Sequence, residues 1–220
     1  MVDLACWTRT VQDVESADLA ARWLALESSF EQSSYLGDRS IRVYGRPHPS
    51  GIVLVAGHAV QHTRNGDTKL ADRGTGGLAI LLGQLLSIPA VVDVSGDTVD
   101  ANFSREHQLK NIVAALAPST VIDLHGMRQR DAAAADLGLG AKNPIPVRFV
   151  EALHTSSLYV TTGRWFSAAN TATVTRWAQS HGWAACQVEI GANYRPPNGN
   201  TNRLGAMAAL LAGALTTEMT

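Results

Sequence analysis

Short apolar runs alternate along the chain with stretches of helical apolar spacing, and this alternation restricts the fold more than any other feature. The clearest run is 51–57, in which Ile, Val, Leu, Val and Ala stand between two glycines. A run that is apolar at every position and rich in β-branched residues is typical of a strand buried on both faces. Similar runs at 90–94, 120–124 and 184–190 predict three more such strands.

Helical spacing of apolar residues fills the intervals between these runs. It predicts helices over 11–36, 72–86, 104–116, 168–181 and 202–215, with Asp72 as the N-cap of the second. An edge strand is predicted over 39–47, and long loops over 61–70 and 126–143. Strands that alternate with helices indicate one α/β domain over residues 1–220, a three-layer α/β/α sandwich whose mixed sheet is mostly parallel.

Composition excludes several functional classes. The 220 residues have a formal net charge of −1, which gives no general attraction to nucleic acid or to an acidic membrane surface. Cys6 and Cys186 are too few and too far apart for a disulfide framework or a zinc ribbon. We find no signal peptide or spanning segment. The expectation is a cytoplasmic protein with a small-molecule substrate, of undetermined oligomeric state.

Two histidines directly follow buried apolar runs, His58 after the first and His125 after the third. In open α/β sheets the functional site lies beyond the carboxyl ends of the strands, so both side chains can reach one point. A hydrolytic zinc site takes three protein ligands and keeps one open position. For the third ligand the residues leave Asp72, Asp67 and His62 as alternatives.

Acidic residues interrupt the apolar runs at two further positions. Glu189 lies between two apolar residues of an interior strand, where an ionised carboxylate must be paired, lie beside a metal or become protonated. A general base and a buried salt bridge to arginine both satisfy that requirement. Asp123 precedes His125 by two residues, on the same side of the strand, and is predicted to orient the histidine ring.

Several arginines are predicted to lie in loops or near strand ends, where a guanidinium can bind a substrate carboxylate. They are Arg64, Arg105, Arg128, Arg148 and Arg195.

The sequence gives little support for a serine hydrolase or for a dinucleotide-binding enzyme. The sequence has no Gly-x-Ser-x-Gly elbow for a nucleophilic serine, and the glycines at 74–77 lack the spacing and the preceding strand of a dinucleotide fingerprint.

Four segments, in order, resemble the motifs of proteins related to N-formylglutamate amidohydrolase, a family similar in fold and metal site to the zinc carboxypeptidases. The first runs from Ala56-Gly-His58 to Asp72-Arg-Gly-Thr-Gly76, and the second is Asp100-Ala-Asn102. The others are 121–126, which contains Ile-Asp-Leu-His-Gly, and 187–190, which contains Gln-Val-Glu-Ile. Together they cover residues from about 52 to 190, and the resemblance implies a zinc-carboxypeptidase-like fold.

The resemblance also implies roles for individual residues. His58, Asp72 and His125 would bind one Zn²⁺ per chain, and Glu189 would act as the general base on a zinc-activated water. Asn102, with Arg105, would hold the polar end of the substrate. Phe103 stands where the family has arginine, and Arg105 is the next arginine along the chain. Arg64 is also a predicted substrate-binding residue. The His-x-x-Glu spacing of the carboxypeptidases would place a glutamate ligand at position 61, where this chain has Gln61. His62 therefore stays an alternative to Asp72 as the third ligand. Manganese, iron and cobalt also suit such ligands.

The expected activity is metal-dependent hydrolysis of an amide or formamide bond in a small, carboxylate-bearing substrate that resembles an N-acyl amino acid. One alternative is a metallopeptidase that acts on short or γ-linked peptides. The other is a catalytically inactive binding module of the same fold.

Overall fold

A computed structural model describes residues 16–64, 66–96, 99–141 and 143–220. Its helices are α1 (Ser16–Gln32), α2 (Thr75–Leu86), α3 (Gln108–Ala115), α4 (Val147–His154), α5 (Val174–Ser180) and α6 (Thr201–Met219), with a 3₁₀ turn at Ala192–Tyr194. Its strands are β1 (Ser40–Tyr44), β2 (Ile52–Ala56), β3 (His62–Arg64), β4 (Asp67–Lys69), β5 (Ala90–Val94), β6 (Thr120–Met127), β7 (Ala135–Gly138), β8 (Val160–Thr162) and β9 (Ala184–Gly191).

Seven strands form one mixed sheet in the order β1-β5-β2-β6-β9-β7-β8, and β3 pairs with β4 in a separate hairpin. The four central strands β5, β2, β6 and β9 are parallel. The outer strands reverse, because β1 is antiparallel to β5 and β7 is antiparallel to β9. The carboxyl ends of the parallel strands therefore meet at one edge, where a site is expected in a sheet of this kind.

Successive residues of a strand point to opposite sides of the sheet. Helices cover both of these faces, so the sheet contributes to two cores. Ile52, Leu54 and Ala56 join a core that includes residues of α1, α2, α4 and α6. Val53 and Val55 join a second core, with residues of α3 and α5. The predicted α/β/α sandwich is confirmed. Within the described residues, no helix is long and apolar enough to cross a membrane.

The structure differs from the predicted elements in several places, and the helices predicted over 104–116 and 168–181 begin only at Gln108 and Val174. Helix α2 begins at Thr75 with Gly74 as its N-cap, so the predicted N-cap role of Asp72 is wrong. The predicted loops 61–70 and 126–143 contain the β3–β4 hairpin and strand β7. Strand β6 continues past 124, which places His125 inside it. Residues 11–15 of the first predicted helix, and Cys6, lie outside the described residues.

Candidate metal centre

Three buried side chains converge at the carboxyl edge of the sheet. His58 follows β2, His125 lies in the neighbouring strand β6, and Asp72 comes from the loop before α2. One Asp72 carboxylate oxygen, Oδ2, lies 3.2 Å from Nδ1 of His58 and 3.1 Å from Nδ1 of His125. The two Nδ1 atoms are 3.1 Å apart. The three ligand atoms therefore form a nearly equilateral triangle.

This triangle has the dimensions that a small divalent cation requires. Tetrahedral zinc, with bonds of about 2.0–2.1 Å, keeps its ligand atoms about 3.3 Å apart. The observed separations of 3.1 to 3.2 Å are slightly shorter than that spacing. Two imidazoles and one carboxylate are also a common protein ligand set for catalytic zinc. His58, Asp72 and His125 thus fit a metal in both geometry and chemistry.

Each histidine has a carboxylate behind it. His58 Nε2 lies 2.8 Å from Oδ1 of Asp100, and His125 Nε2 lies 3.0 Å from Oδ2 of Asp123. A carboxylate at Nε2 favours the tautomer that carries its proton there, which leaves the Nδ1 lone pair directed into the triangle. Asp123 lies beside the ring that it was predicted to orient, although neither of its oxygens meets hydrogen-bond geometry with a partner among the described residues. No such role was predicted for Asp100, although it lies in one of the four motif segments.

The electrostatics of the triangle favour bound positive charge. Burial opposes charge on His125, but Asp123 and Asp72 outweigh burial and raise its pKa well above the ordinary histidine value. Burial likewise opposes charge on Asp72, but His125, His58 and Lys69 hold its pKa well below the ordinary aspartate value. The carboxylates at the triangle thus stabilise positive charge there; without a metal that charge is a proton on His125, which a bound metal ion would displace.

Glu189 lies directly beside this triangle. It is the register partner of His125 in the β6–β9 ladder, and only 6% of it is exposed. Burial, with the neighbouring Asp72 charge, raises the pKa of Glu189, although His125 opposes the shift. The Gln187 amide donates a hydrogen bond to Oε1 of Glu189. A buried carboxylate whose proton affinity is raised next to a metal-ligand set is suited to act as a general base.

His62 does not reach the triangle. Its ring centroid lies 5.8 Å from that of His58, and its two nitrogens have no hydrogen-bond partner among the described residues. Burial lowers the pKa of His62, so the ring is held neutral. Asp67, in β4, is exposed. Of the alternatives for the third ligand, the geometry therefore favours Asp72.

Of the residues predicted to bind substrate, Arg64 and Asn102 lie near the triangle and Arg105 does not. The guanidinium of Arg64 lies over the Phe103 ring, and its Nη2 is 2.6 Å from Oδ2 of Asp100. Asn102 accepts a hydrogen bond from the Val174 amide through Oδ1. Its Nδ2 lies 3.0 Å from Nε2 of His125, which places Asn102 beside that ring. Arg105 is exposed and donates to Thr171, away from the histidines.

Two cavities open on the ligand triangle. The smaller, of about 200 Å³, is lined by His58, His125 and Glu189 and also by Phe103 and Phe166. The larger, of about 560 Å³, is lined mainly by the loops 68–73 and 192–198. Lys69, Asp72 and Gly126 line both. Arg105 lines neither cavity, whereas Arg64 and Asn102 line the smaller.

Two polar residues of the site have no counterpart among the sequence predictions. Lys69 donates from Nζ to Oδ1 of Asp72 at 2.6 Å, which leaves Oδ2 for the triangle. Gln187 precedes Glu189 by two residues and lies on the same side of β9, so strand periodicity was the signal that could have indicated it. No comparable signal exists for Lys69, whose contact depends on the fold of its loop.

No protein-family model matches the sequence, and no curated protein matches it significantly. Solved structures with similar folds include N-formylglutamate amidohydrolase from Ralstonia eutropha JMP134, at 11% identity and a TM-score of 0.57 over 82% of this chain and 99% of that one. A bacteriophage poly-γ-glutamate hydrolase is 15% identical with a TM-score of 0.52 over 80% and 88%. A metallo-carboxypeptidase from Burkholderia cenocepacia is 12% identical with a TM-score of 0.50 over 82% and 60%.

At these identities the similarity establishes the fold. The chain has the α/β fold of the N-formylglutamate amidohydrolases and zinc carboxypeptidases, and the structural resemblance predicted from the four motif segments is confirmed at that level.

Proposed function

We propose that this protein is a metal-dependent hydrolase that cleaves the amide or formamide bond of a small, carboxylate-bearing substrate resembling an N-acyl amino acid. One observation carries the proposal: His58 Nδ1, Asp72 Oδ2 and His125 Nδ1 lie within 3.2 Å of one another beside the buried carboxylate of Glu189. The names of the similar solved structures, an amidohydrolase, a poly-γ-glutamate hydrolase and a carboxypeptidase, all describe hydrolysis of C–N bonds.

The three ligands would hold one divalent cation, with zinc as the first choice and manganese, iron or cobalt as alternatives. Bound there, it would supply Lewis acidity that polarises the scissile carbonyl and makes water a stronger acid. Glu189 accepts the proton of the attacking water at its carboxylate and returns it to the leaving nitrogen. Asp100 and Asp123 hold the two imidazoles in place, and Phe103 and Phe166 limit access of bulk water.

Replacing Glu189 with glutamine tests the general base. The amide cannot accept the proton but has nearly the same shape, so we expect turnover to fall about 10²–10⁴-fold while the metal content stays unchanged. Zinc is measured by elemental analysis, and turnover on a panel of N-formyl and N-acetyl amino acids. Glu151→Gln, the same substitution at an exposed position of α4, is the matched control. Near wild-type turnover of Glu189→Gln would contradict the proposed base.

Replacing either histidine tests the metal. His58→Ala and His125→Ala should each reduce zinc well below one ion per chain, because each removes one of three ligands. If both variants kept stoichiometric zinc, the ligand assignment would be wrong. If the wild-type protein bound no metal, the inactive binding module would be favoured instead.

A metallopeptidase that acts on short or γ-linked peptides is the second candidate. The cavity of about 560 Å³ beside the ligand triangle favours it, because it offers room for a residue on the far side of the scissile bond. Adding α-linked and γ-linked dipeptides to the substrate panel separates the two. Hydrolysis of N-acyl amino acids at a much higher kcat/KM supports the amidohydrolase, and the reverse order supports the peptidase.

A further inference from the structure

The smaller cavity at the ligand triangle has aromatic as well as polar side chains in its wall. The rings of Phe103 and Phe166 line it together with His58, His125 and Glu189. Its volume is about 200 Å³. Because an apolar cavity of about 150 Å³ is large enough to hold benzene, this space can admit one aromatic ring beside the reacting groups.

The positive charges in this wall are already paired. Arg64 donates to Oδ2 of Asp100 through Nε at 2.8 Å and through Nη2 at 2.6 Å. Lys69 donates to Oδ1 of Asp72 at 2.6 Å. A substrate carboxylate in this cavity would find no unpaired cation among the described residues of the wall, and it would meet the carboxylates of Asp72 and Glu189. The uncharged acyl group of an N-acyl amino acid is therefore the part that suits the cavity.

Phe103 is held in place by residues that also support the proposed metal ligands. The guanidinium carbon of Arg64 lies 4.1 Å from the centre of the Phe103 ring, a favourable cation–π distance. The Phe103 amide donates to the Asp100 carbonyl at 2.9 Å, and the Asp100 side chain lies beside His58. The ring is nevertheless 49% exposed, so a substrate can cover a positioned apolar surface.

The segment that carries Phe166 is anchored on the strand next to the proposed general base. Asp136 in β7 is the register partner of Glu189 in β9. Its buried carboxylate accepts hydrogen bonds from the backbone amides of Trp165 and Phe166, both at 2.9 Å, and of Arg164 at 3.2 Å. The β7–β9 ladder thus fixes the backbone of Phe166 relative to Glu189.

We propose that Phe103 and Phe166 determine the specificity of this site by binding an aromatic acyl group, such as benzoyl, in the smaller cavity. The inference rests on the proposed function and specifies its substrate class. A benzoyl ring would cover apolar surface that a formyl or acetyl group leaves exposed to water. Contacts between aromatic rings also favour it over a non-aromatic ring of similar size. In this arrangement Arg64 supports the Phe103 ring and does not bind the substrate itself.

The kinetic test varies the acyl group and keeps glycine as the amino acid. With zinc-loaded protein, kcat/KM for N-benzoylglycine should exceed that for N-acetylglycine about tenfold or more. It should exceed that for N-cyclohexanecarbonylglycine by about threefold. Phe103→Ala and Phe166→Ala should each lower kcat/KM for N-benzoylglycine about tenfold, and that for N-acetylglycine less than about threefold. Leu24→Ala, at an exposed position of α1 outside both cavities, should change neither value.

A binding measurement separates the aromatic pocket from turnover. Acetophenone and acetone, which are uncharged and have no C–N bond to cleave, are titrated by calorimetry into zinc-loaded and chelator-treated protein. Acetophenone should bind about tenfold more tightly than acetone in both forms, and each alanine variant should weaken its binding about tenfold. If acetophenone binds in this way but no N-acylglycine is hydrolysed, the proposed hydrolase activity fails and the aromatic pocket stands.

Three results would overturn the aromatic pocket. They are equal kcat/KM for N-benzoylglycine and N-acetylglycine, a kcat/KM for N-cyclohexanecarbonylglycine as high as that for N-benzoylglycine, and acetophenone binding that both alanine variants leave unchanged. Because the Phe103 ring is about half exposed, its replacement should leave the fold intact. Circular dichroism spectra that match the wild type verify that both variants are folded.

Discussion

The Asp100 carboxylate contacts two residues of the site at once. One oxygen lies 2.8 Å from Nε2 of His58, and the other accepts from Arg64. These partners keep the pKa of Asp100 below the ordinary aspartate value even though burial opposes its charge. The ionised form therefore persists at neutral pH, and it holds the His58 ring with Nδ1 facing the other ligands.

Asp100→Asn should weaken metal binding without abolishing it. The amide keeps the size of the side chain but removes the charge that polarises His58, and such changes reduce metal affinity about 10–100-fold. Competition with a chromophoric chelator measures the zinc affinity. Asp131→Asn is the control, because Asp131 also pairs with an arginine, Arg164, but at an exposed position. Equal zinc affinity in both variants would show that Asp100 does not support the ligand.

At the scale of the elements, helix α1 anchors the start of α2, the helix that follows the proposed ligand Asp72. The buried carboxylate of Glu27 accepts hydrogen bonds from the backbone amides of Gly74 at 2.6 Å and Gly77 at 2.9 Å. Trp23 donates its indole N–H to the Gly74 carbonyl at 2.8 Å. Gly74, the N-cap, has no side chain to satisfy those amides, so Glu27 replaces the missing cap from another helix. A side chain at Gly77 would collide with the Glu27 backbone, 2.9 Å from the new Cβ.

Glu27→Ala should therefore lower the free energy of unfolding by about 2 kcal/mol or more, because it leaves two buried amides without an acceptor. Glu27→Gln should cost less, since its amide oxygen still accepts one of the two bonds. Urea denaturation gives both values. Glu31→Ala, an exposed position one turn further along α1, should change stability by less than about 0.5 kcal/mol. A loss as small in Glu27→Ala as in Glu31→Ala would contradict the anchoring role.

At the scale of the whole molecule, the apolar cores and the candidate metal centre are physically separate. Apolar side chains of six strands and six helices fill two cores, one on each face of the sheet, and none of the three proposed ligands belongs to either core. Burial of this apolar surface is the main stabilising contribution. The protein should therefore remain folded without metal, and the metal should add stability by binding the folded state alone.

Removing the metal tests this separation. At a free zinc concentration 100 times the dissociation constant, binding adds about 2.7 kcal/mol, which corresponds to roughly 5–10 °C in Tm for a chain of this size. We expect Tm to fall by that amount on chelation, with unchanged far-ultraviolet circular dichroism at 25 °C. The double variant His58→Ala/His125→Ala should show no zinc-dependent shift. Unfolding of the wild type on chelation would mean that the metal is part of the fold.

The sequence alone determined the architecture and part of the site. Strands buried on both faces need local apolar runs, and these runs predicted all four central parallel strands. His58 and His125 were predicted as site residues because strand ends in such a sheet converge, and Glu189 because an interior carboxylate requires a partner. Strand β7 was missed, because 135–138 has no β-branched residue and is a strand through its pairing with β9 and β8.

The tertiary structure alone decided which loop side chains reach the site. His62 and Asp72 lie in the same connection, and spacing along the chain does not specify how that connection turns. The β3–β4 hairpin pairs His62 with Lys69 and brings Asp72 to the histidines.

The surroundings of the arginines were also decided by the tertiary structure alone. Arg64, Arg105, Arg128 and Arg195 look alike in the sequence, but only their surroundings show which charge is paired and which is free. Whether an arginine has a carboxylate partner depends on contacts between segments that are distant in the chain, so no local sequence pattern predicts it.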